Sequence, residues 1–167
     1  MASAADQTRA EIVALMPRLR RFARALTGHV ADADDIVQIA VERALMRLAQ
    51  FEPGTRLDAW LLSIVRNAWI DEARSRTRRA KVFAPAEEGE RIGSDGAARV
   101  HAKLEMDDVW KAMRKLPEEQ REAVALVCVE GLAYREAAEA LGVPIGTLTS
   151  RIARGREALQ TMLGDAR

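Results

Sequence analysis

The stretch "GVPIGTLTSRIARGRE", residues 142–157, carries three arginines and three hydroxyl side chains. Arginine forks grip guanine edges or phosphate oxygens, and hydroxyls can serve either. At about 100° per residue, Leu148, Ile152, Gly155, Leu159 and Leu163 share one helical face, which must pack inward. Thr147, Ser150, Arg151 and Arg154 gather opposite, and Arg156 falls on the inward flank, where it would snorkel or meet a phosphate edgewise. An ordinary solvated face on a helical hairpin would carry similar residues. The residues just upstream favour DNA. A helix-turn-helix needs a small residue where its helices cross, a glycine at the turn and an apolar seal on the second helix. Ala138, Gly142 and Leu148 stand in those roles. Pro144 suits the first turn of the second helix, where its missing N–H has no partner to lose.

Other chemistry finds little support. His29 and His101 have no companion ligands at metal spacing, so neither a metal nor another cofactor is expected. No serine, cysteine or carboxylate pair is set beside a histidine for catalysis, and the chain reads as a non-enzyme. Cys128, in "AVALVCVEG", reads as a small core residue. A single cysteine cannot form an internal disulfide, in keeping with a reducing compartment. No apolar run reaches the length of a membrane span and the first residues lack a signal core, so a cytoplasmic location is expected.

The elements that must position these residues are helices. "LDAWLLSIVRNAWIDEARSR" places Leu57, Trp60, Leu61, Ile64, Val65, Ala68 and Trp69 on one stripe. Ile36, Val37, Ala40, Val41, Ala44, Leu45 and Leu48 repeat the pattern after "ADADD", whose aspartates can cap the start. An earlier helix, around residues 12–26, ends at Gly28, and Pro17 implies that it starts or kinks near there. About four more helices follow residue 102, punctuated by Pro117, Gly131, Gly142 and Pro144. Between the blocks, "FAPAEEGERIGSDGAARVHA" is poor in large apolar residues and cannot repay its ordering entropy. The expected fold is therefore all-α: an N-terminal helical bundle, residues 1–82, a flexible linker, 83–102, and a C-terminal helix-turn-helix domain, 103–167. The formal net charge of +1 hides a positive N-terminal block that ends in Arg74, Arg76, Arg78, Arg79 and Lys81. Such a run suits a polyanion, although a solvated helix end explains many of them.

With both halves in view, the chain resembles an extracytoplasmic-function sigma factor of bacterial RNA polymerase. The segment from "LPEEQREAV" to "RIARGREAL" resembles the region that binds the promoter −35 element, which implies DNA contacts by Thr147, Ser150, Arg151, Arg154 and Arg156. "DADDIVQIAVERAL" is similar to the helix that docks on the polymerase clamp, implying core-polymerase contacts by Asp32, Asp35, Gln38, Glu42 and Arg43. "RLDAWLLSIVRNAWIDEARSR" is similar to the helix that reads and opens the −10 element. The resemblance places Arg66, Asn67, Asp71 and Arg74 there, with Thr55, Arg56 and Asp58 of the preceding loop beside a base flipped from the strand. Trp60 and Trp69 lie on the apolar stripe and are expected in the core rather than under a base. The implied partners are core RNA polymerase, promoter DNA and an anti-sigma protein.

Four positions depart from the family pattern: Ile39 where glutamate is common, Leu45 near which an aromatic is common, Ala133 where serine would cap a helix, and Thr149 where lysine is common. Two other functions remain open on the residues. A free-standing helix-turn-helix regulator would leave the acidic and tryptophan helices unexplained. A sigma mimic that only titrates an anti-sigma protein would be expected to lack the arginines at 66, 74, 151 and 154, which are present.

Overall fold

The computed structural model describes residues 1–82 and 97–164, and side chains from 105 onward in the second stretch. No strand occurs among the described residues. The first helix, α1 (Ala4–Thr27), begins well before Pro17 and runs through it. Its start is set by Ser3, whose hydroxyl accepts from the Asp6 N–H at 3.1 Å while the Asp6 carboxylate accepts from the Ser3 N–H at 3.2 Å. That reciprocal cap satisfies two amide donors at the start, and burial of apolar residues on both sides of Pro17 carries the helix through the hydrogen bond it removes. Ile12, Leu19, Phe22 and Leu26 bury the inner face, and Gly28 ends the helix at φ 76°.

Helix α2 (Val30–Met46) follows so closely that His29 takes the N-cap position and makes no side-chain cap bond. The aspartates expected to cap it lie inside the helix, because the two-residue turn starts the helix before they are reached. Asp32, in the first turn, still favours the positive helix end. Helix α3 (Leu57–Ala80) buries Leu57, Leu61, Ile64, Val65, Ala68 and Trp69 as the stripe predicts. Trp60 is half-buried and meets Phe51, ring centroids 5.2 Å apart. Two residues off the stripe, Leu62 and Ile70, are buried as well. They flank Arg66 at i, i+4 and i+8, so α3 has a second covered side.

The first three helices pack on one another. After them come α4 (Ala97–Lys115), α5 (Glu118–Val124), α6 (Tyr134–Leu141) and α7 (Ile145–Gly164). The end of α5 widens into a π-helical turn over Ala125–Val129, in which the Glu130 N–H donates to the Ala125 oxygen at 3.0 Å. This turn carries Cys128 to the surface, so it is exposed and not a core residue. Helices α6 and α7 form the expected helix-turn-helix. Ala138 and Leu148 are buried, and Gly142 supplies φ 65°, a left-handed conformation that a side chain would strain. Pro144 stands one residue before α7 and its carbonyl accepts the first helical bond, from Leu148. Gly155 lets α7 approach α5, since a β-carbon there would lie 2.7 Å from Val124 Cγ2.

The expected linker, 83–102, lies outside the described residues as far as 96, and its last six positions belong to α4. The two helical blocks pack together. Helix α1 meets α4, α5 and the π turn, α3 meets α6, and one continuous apolar cluster takes in residues from both blocks.

Candidate nucleic-acid interface

On α7, Thr147, Ser150 and Arg154 are exposed on one side, while Leu148, Ile152 and Gly155 are buried on the other. The Ser150 hydroxyl donates back to the Gly146 oxygen at 3.1 Å, which fixes it over the first turn with its lone pairs outward. Arg151 is less open than its helical position implies. Its side chain is 19% exposed and pairs with Glu119 of α5 at 3.3 Å. Arg156 departs in the other direction, being exposed rather than turned inward. Beyond Gly155 the inner face of α7 is only half covered, as Leu159 and Leu163 show, so nothing draws the Arg156 stem inward.

The loop before α3 and its outer face divide into open and engaged residues. Thr55 is exposed, its hydroxyl donating to the Glu52 oxygen at 2.6 Å. Asn67 and Arg74 are exposed too. Arg56 forks onto Asp58 at 2.8 and 2.7 Å and reaches Glu136 of α6 at 2.6 Å. Asp58 also accepts from Arg18 at 2.6 Å. The Arg56 hydrogen bonds, against some burial and with help from Arg18, hold the Asp58 carboxyl well below the usual carboxylate range. Arg66 donates to both carboxylate oxygens of Glu122 on α5, at 3.1 and 3.3 Å, and to Asn67 at 3.3 Å. Burial pushes the Glu122 carboxyl up, and Arg66 pulls it partly back. Asp71 accepts from Arg43 of α2 at 2.7 Å.

On α2, Asp35, Gln38 and Glu42 are exposed along one stripe that runs into the exposed Leu45 and Met46. Asp32 and Arg43 do not belong to it. Asp32 accepts from Arg76 at 2.9 Å, which lowers its carboxyl pKa, and Arg43 is held by Asp71, so both tie α2 to α3. Among the described residues no cluster of metal-ligating side chains forms, and no described helix is long and apolar enough to cross a membrane.

Two family models match this arrangement: Sigma-70 region 2 over residues 12–79 and Sigma-70 region 4 over residues 106–159. The ECF RNA polymerase sigma factor EcfG of Rhodopseudomonas palustris is 38% identical over 95% of this chain and 86% of its own. The chain belongs to the extracytoplasmic-function sigma factors. The sigma factor SigW of Bacillus subtilis is 32% identical over 84% of this chain and 80% of its own. Among solved structures, the sigma factor RpoE in complex with the anti-sigma factor NepR from Bartonella quintana matches at TM-score 0.79 with 32% identity, covering 95% of this chain and 98% of that one. CnrH in complex with the cytosolic domain of CnrY matches at TM-score 0.70 with 26% identity, covering 98% and 96%.

In this sigma factor the residues that reading from sequence missed are those joining regions 2 and 4. Glu130, its side chain fully buried, accepts from Arg18 at 2.7 Å and from Arg21 at 3.0 and 3.1 Å. Arg24 meets Asp107 at 3.5 Å. A β-carbon at Gly28 would overlap the Arg114 side chain. One signal of the joint was available: apolar Leu62 and Ile70 on the polar side of a sigma helix, with a cation between them.

Proposed function

We propose that this sigma factor joins core RNA polymerase through the α2 stripe and directs initiation at promoters with two elements. Asp35, Gln38 and Glu42 would meet the polymerase clamp, with Asp32 and Arg43 shaping that surface from behind. Region 4 would read the −35 element with Thr147, Ser150, Arg151, Arg154 and Arg156 of α7, placed in the major groove as a recognition helix is. Region 2 would hold the −10 element with Arg66, Asn67, Asp71 and Arg74, and shelter a flipped base near Thr55, Arg56 and Asp58. Such shelter repays an unstacking cost of a few kcal/mol without ATP.

The observation that carries this reading is the presence of both regions, in order, on one chain. A free-standing regulator would need only the second. The domain limits proposed are 1–82 for region 2 and 103–167 for region 4, with the intervening chain as a tether. Because the sigma factor RpoE from Bartonella quintana is known in complex with the anti-sigma factor NepR, an anti-sigma protein is proposed as the regulator here, acting in the cytoplasm alongside the polymerase. No cofactor is invoked. The test is reconstitution with core polymerase. Promoter-specific run-off transcripts that appear only when both are present support the reading. Tight duplex binding by the lone chain without any polymerase association would favour the free-standing regulator.

A further inference from the structure

Towards its end, α3 presents a face made by Ile70, Ala73, Arg74, Thr77 and Arg78, which succeed one another at helical spacing. They line a cavity of about 380 Å³ whose far wall is Glu118, the first residue of α5. That volume lies within the range of small-molecule sites. The neighbouring arginines of α3 are engaged, Arg66 by Glu122, Arg76 by Asp32 and Arg79 by Glu72. Arg74 and Arg78 are exposed and form no ion pair among the described residues. Like charges at i and i+4 repel, a cost that an anion held between them would relieve. Thr77 donates its hydroxyl hydrogen to the Ala73 oxygen at 3.0 Å and keeps its lone pairs as acceptors. Buried Ile70 and half-buried Ala73 give an apolar floor. Glu118 is exposed, and a carboxylate can only accept.

This layout asks for phosphate at one end of the ligand and N–H donors at the other. A bare phosphate would leave Glu118 unanswered, and a duplex would set its own phosphates against that acid. We propose that the cavity is a guanine-nucleotide site. Arg74 and Arg78 hold the phosphates with their forks, Thr77 accepts from a ribose hydroxyl, Ile70 and Ala73 underlie the base, and Glu118 accepts from its N1–H and N2–H. Guanine alone among the common bases presents two adjacent donors to match both oxygens of one carboxylate. Glu118 belongs to region 4, so an occupied site spans both regions. On the promoter reading of α3, which also uses Arg74, nucleotide and −10 strand exclude each other.

The experiment titrates the full chain calorimetrically, at about 0.15 M salt, with GDP, UDP and inorganic pyrophosphate. GDP should saturate one site below about 1 mM and bind roughly tenfold more tightly than UDP or pyrophosphate. Arg78→Gln should weaken GDP and pyrophosphate alike by about tenfold, the worth of one charge-assisted hydrogen bond. Glu118→Gln should weaken GDP to a similar degree while leaving pyrophosphate as tight or tighter. Both residues are exposed, so the variants should keep the helical circular dichroism of wild type. GDP no tighter than pyrophosphate, tighter GDP binding by Glu118→Gln, or no saturation below about 1 mM would each overturn the site, the first two marking a solvated basic helix end that attracts any anion. Failure of the promoter reading shows separately, as loss of run-off transcription by wild-type chain with core polymerase in the absence of GDP.

Discussion

Arg121 Nη1 donates to the main-chain oxygen of Leu26 at 2.8 Å. Its Nη2 donates to the oxygens of Arg114 and Leu116 at 2.6 and 3.0 Å. One side chain of region 4 therefore satisfies carbonyls at the carboxyl ends of α1 and α4 at once, groups that a helix end otherwise leaves orphaned.

Arg121→Lys should destabilise the chain by about 1.5–3 kcal/mol, because an ammonium cannot reproduce a fork aimed at two helix ends. Urea unfolding checks this. A lysine variant as stable as wild type would mean that the caps contribute nothing.

Arg154→Ala should weaken −35-dependent initiation by about 1–3 kcal/mol, the worth of one good base contact. Arg151→Ala should do so as well, since its exposed partner Glu119 releases it at a cost of only ~0–1 kcal/mol. Run-off transcription on matched and −35-substituted templates measures both. Full activity of the two variants would remove the recognition face from α7.

Asn67→Ala should slow promoter opening about tenfold, or ~1.4 kcal/mol of barrier, and leave polymerase affinity nearly unchanged. Permanganate reactivity of the opened strand and a binding titration separate the effects. An equal loss in both would assign Asn67 to structure.

Asp58 ties stability to pH. Its folded pKa is depressed, so its contribution is fully present above the unfolded carboxylate value of about 3.9 and fades as pH falls below it. Thermal midpoints of wild type and Asp58→Asn should differ at pH 6, and the gap should begin to narrow below about pH 4 and close only well below pH 3, as the depressed folded pKa is passed. A gap that stays constant over that range would contradict the assignment.

Ala133 stands at the N-cap of α6 with extended backbone and no side-chain bond. Ala133→Ser should raise stability by about 1 kcal/mol, since serine supplies the missing acceptor for an early amide. Chemical denaturation reads the gain directly.

Most of the architecture was legible because it is local. The stripe from Leu57 to Trp69 and the Ala138, Gly142, Leu148 turn each lie within a few residues of themselves. Local signals were also misjudged: Pro17 drew attention from the Ser3–Asp6 cap, and Asp32 looked like a cap when its partner is Arg76. The candidate site was half legible. Thr55, Asn67, Arg74, Thr147 and Arg154 are open as their positions imply, whereas Arg56 and Arg66 are held by acids far along the chain. No periodicity announces such a pairing, because it depends on how two separately folded blocks meet. Cys128 was misplaced for another reason: a π turn adds one residue to a helix and leaves no compositional trace.

That extra residue has an evolutionary consequence. Losing a single codon within 125–129 would return the turn to ordinary pitch and swing Glu130 by about 100°, withdrawing its carboxylate from Arg18 and Arg21. The crossing of α6 and α7 lies wholly downstream and keeps its own contacts, while the seat of α7 on α5 at Gly155 would have to form anew. A one-residue indel could thus retune how firmly the two regions hold each other, with no substitution on the outer face of α7.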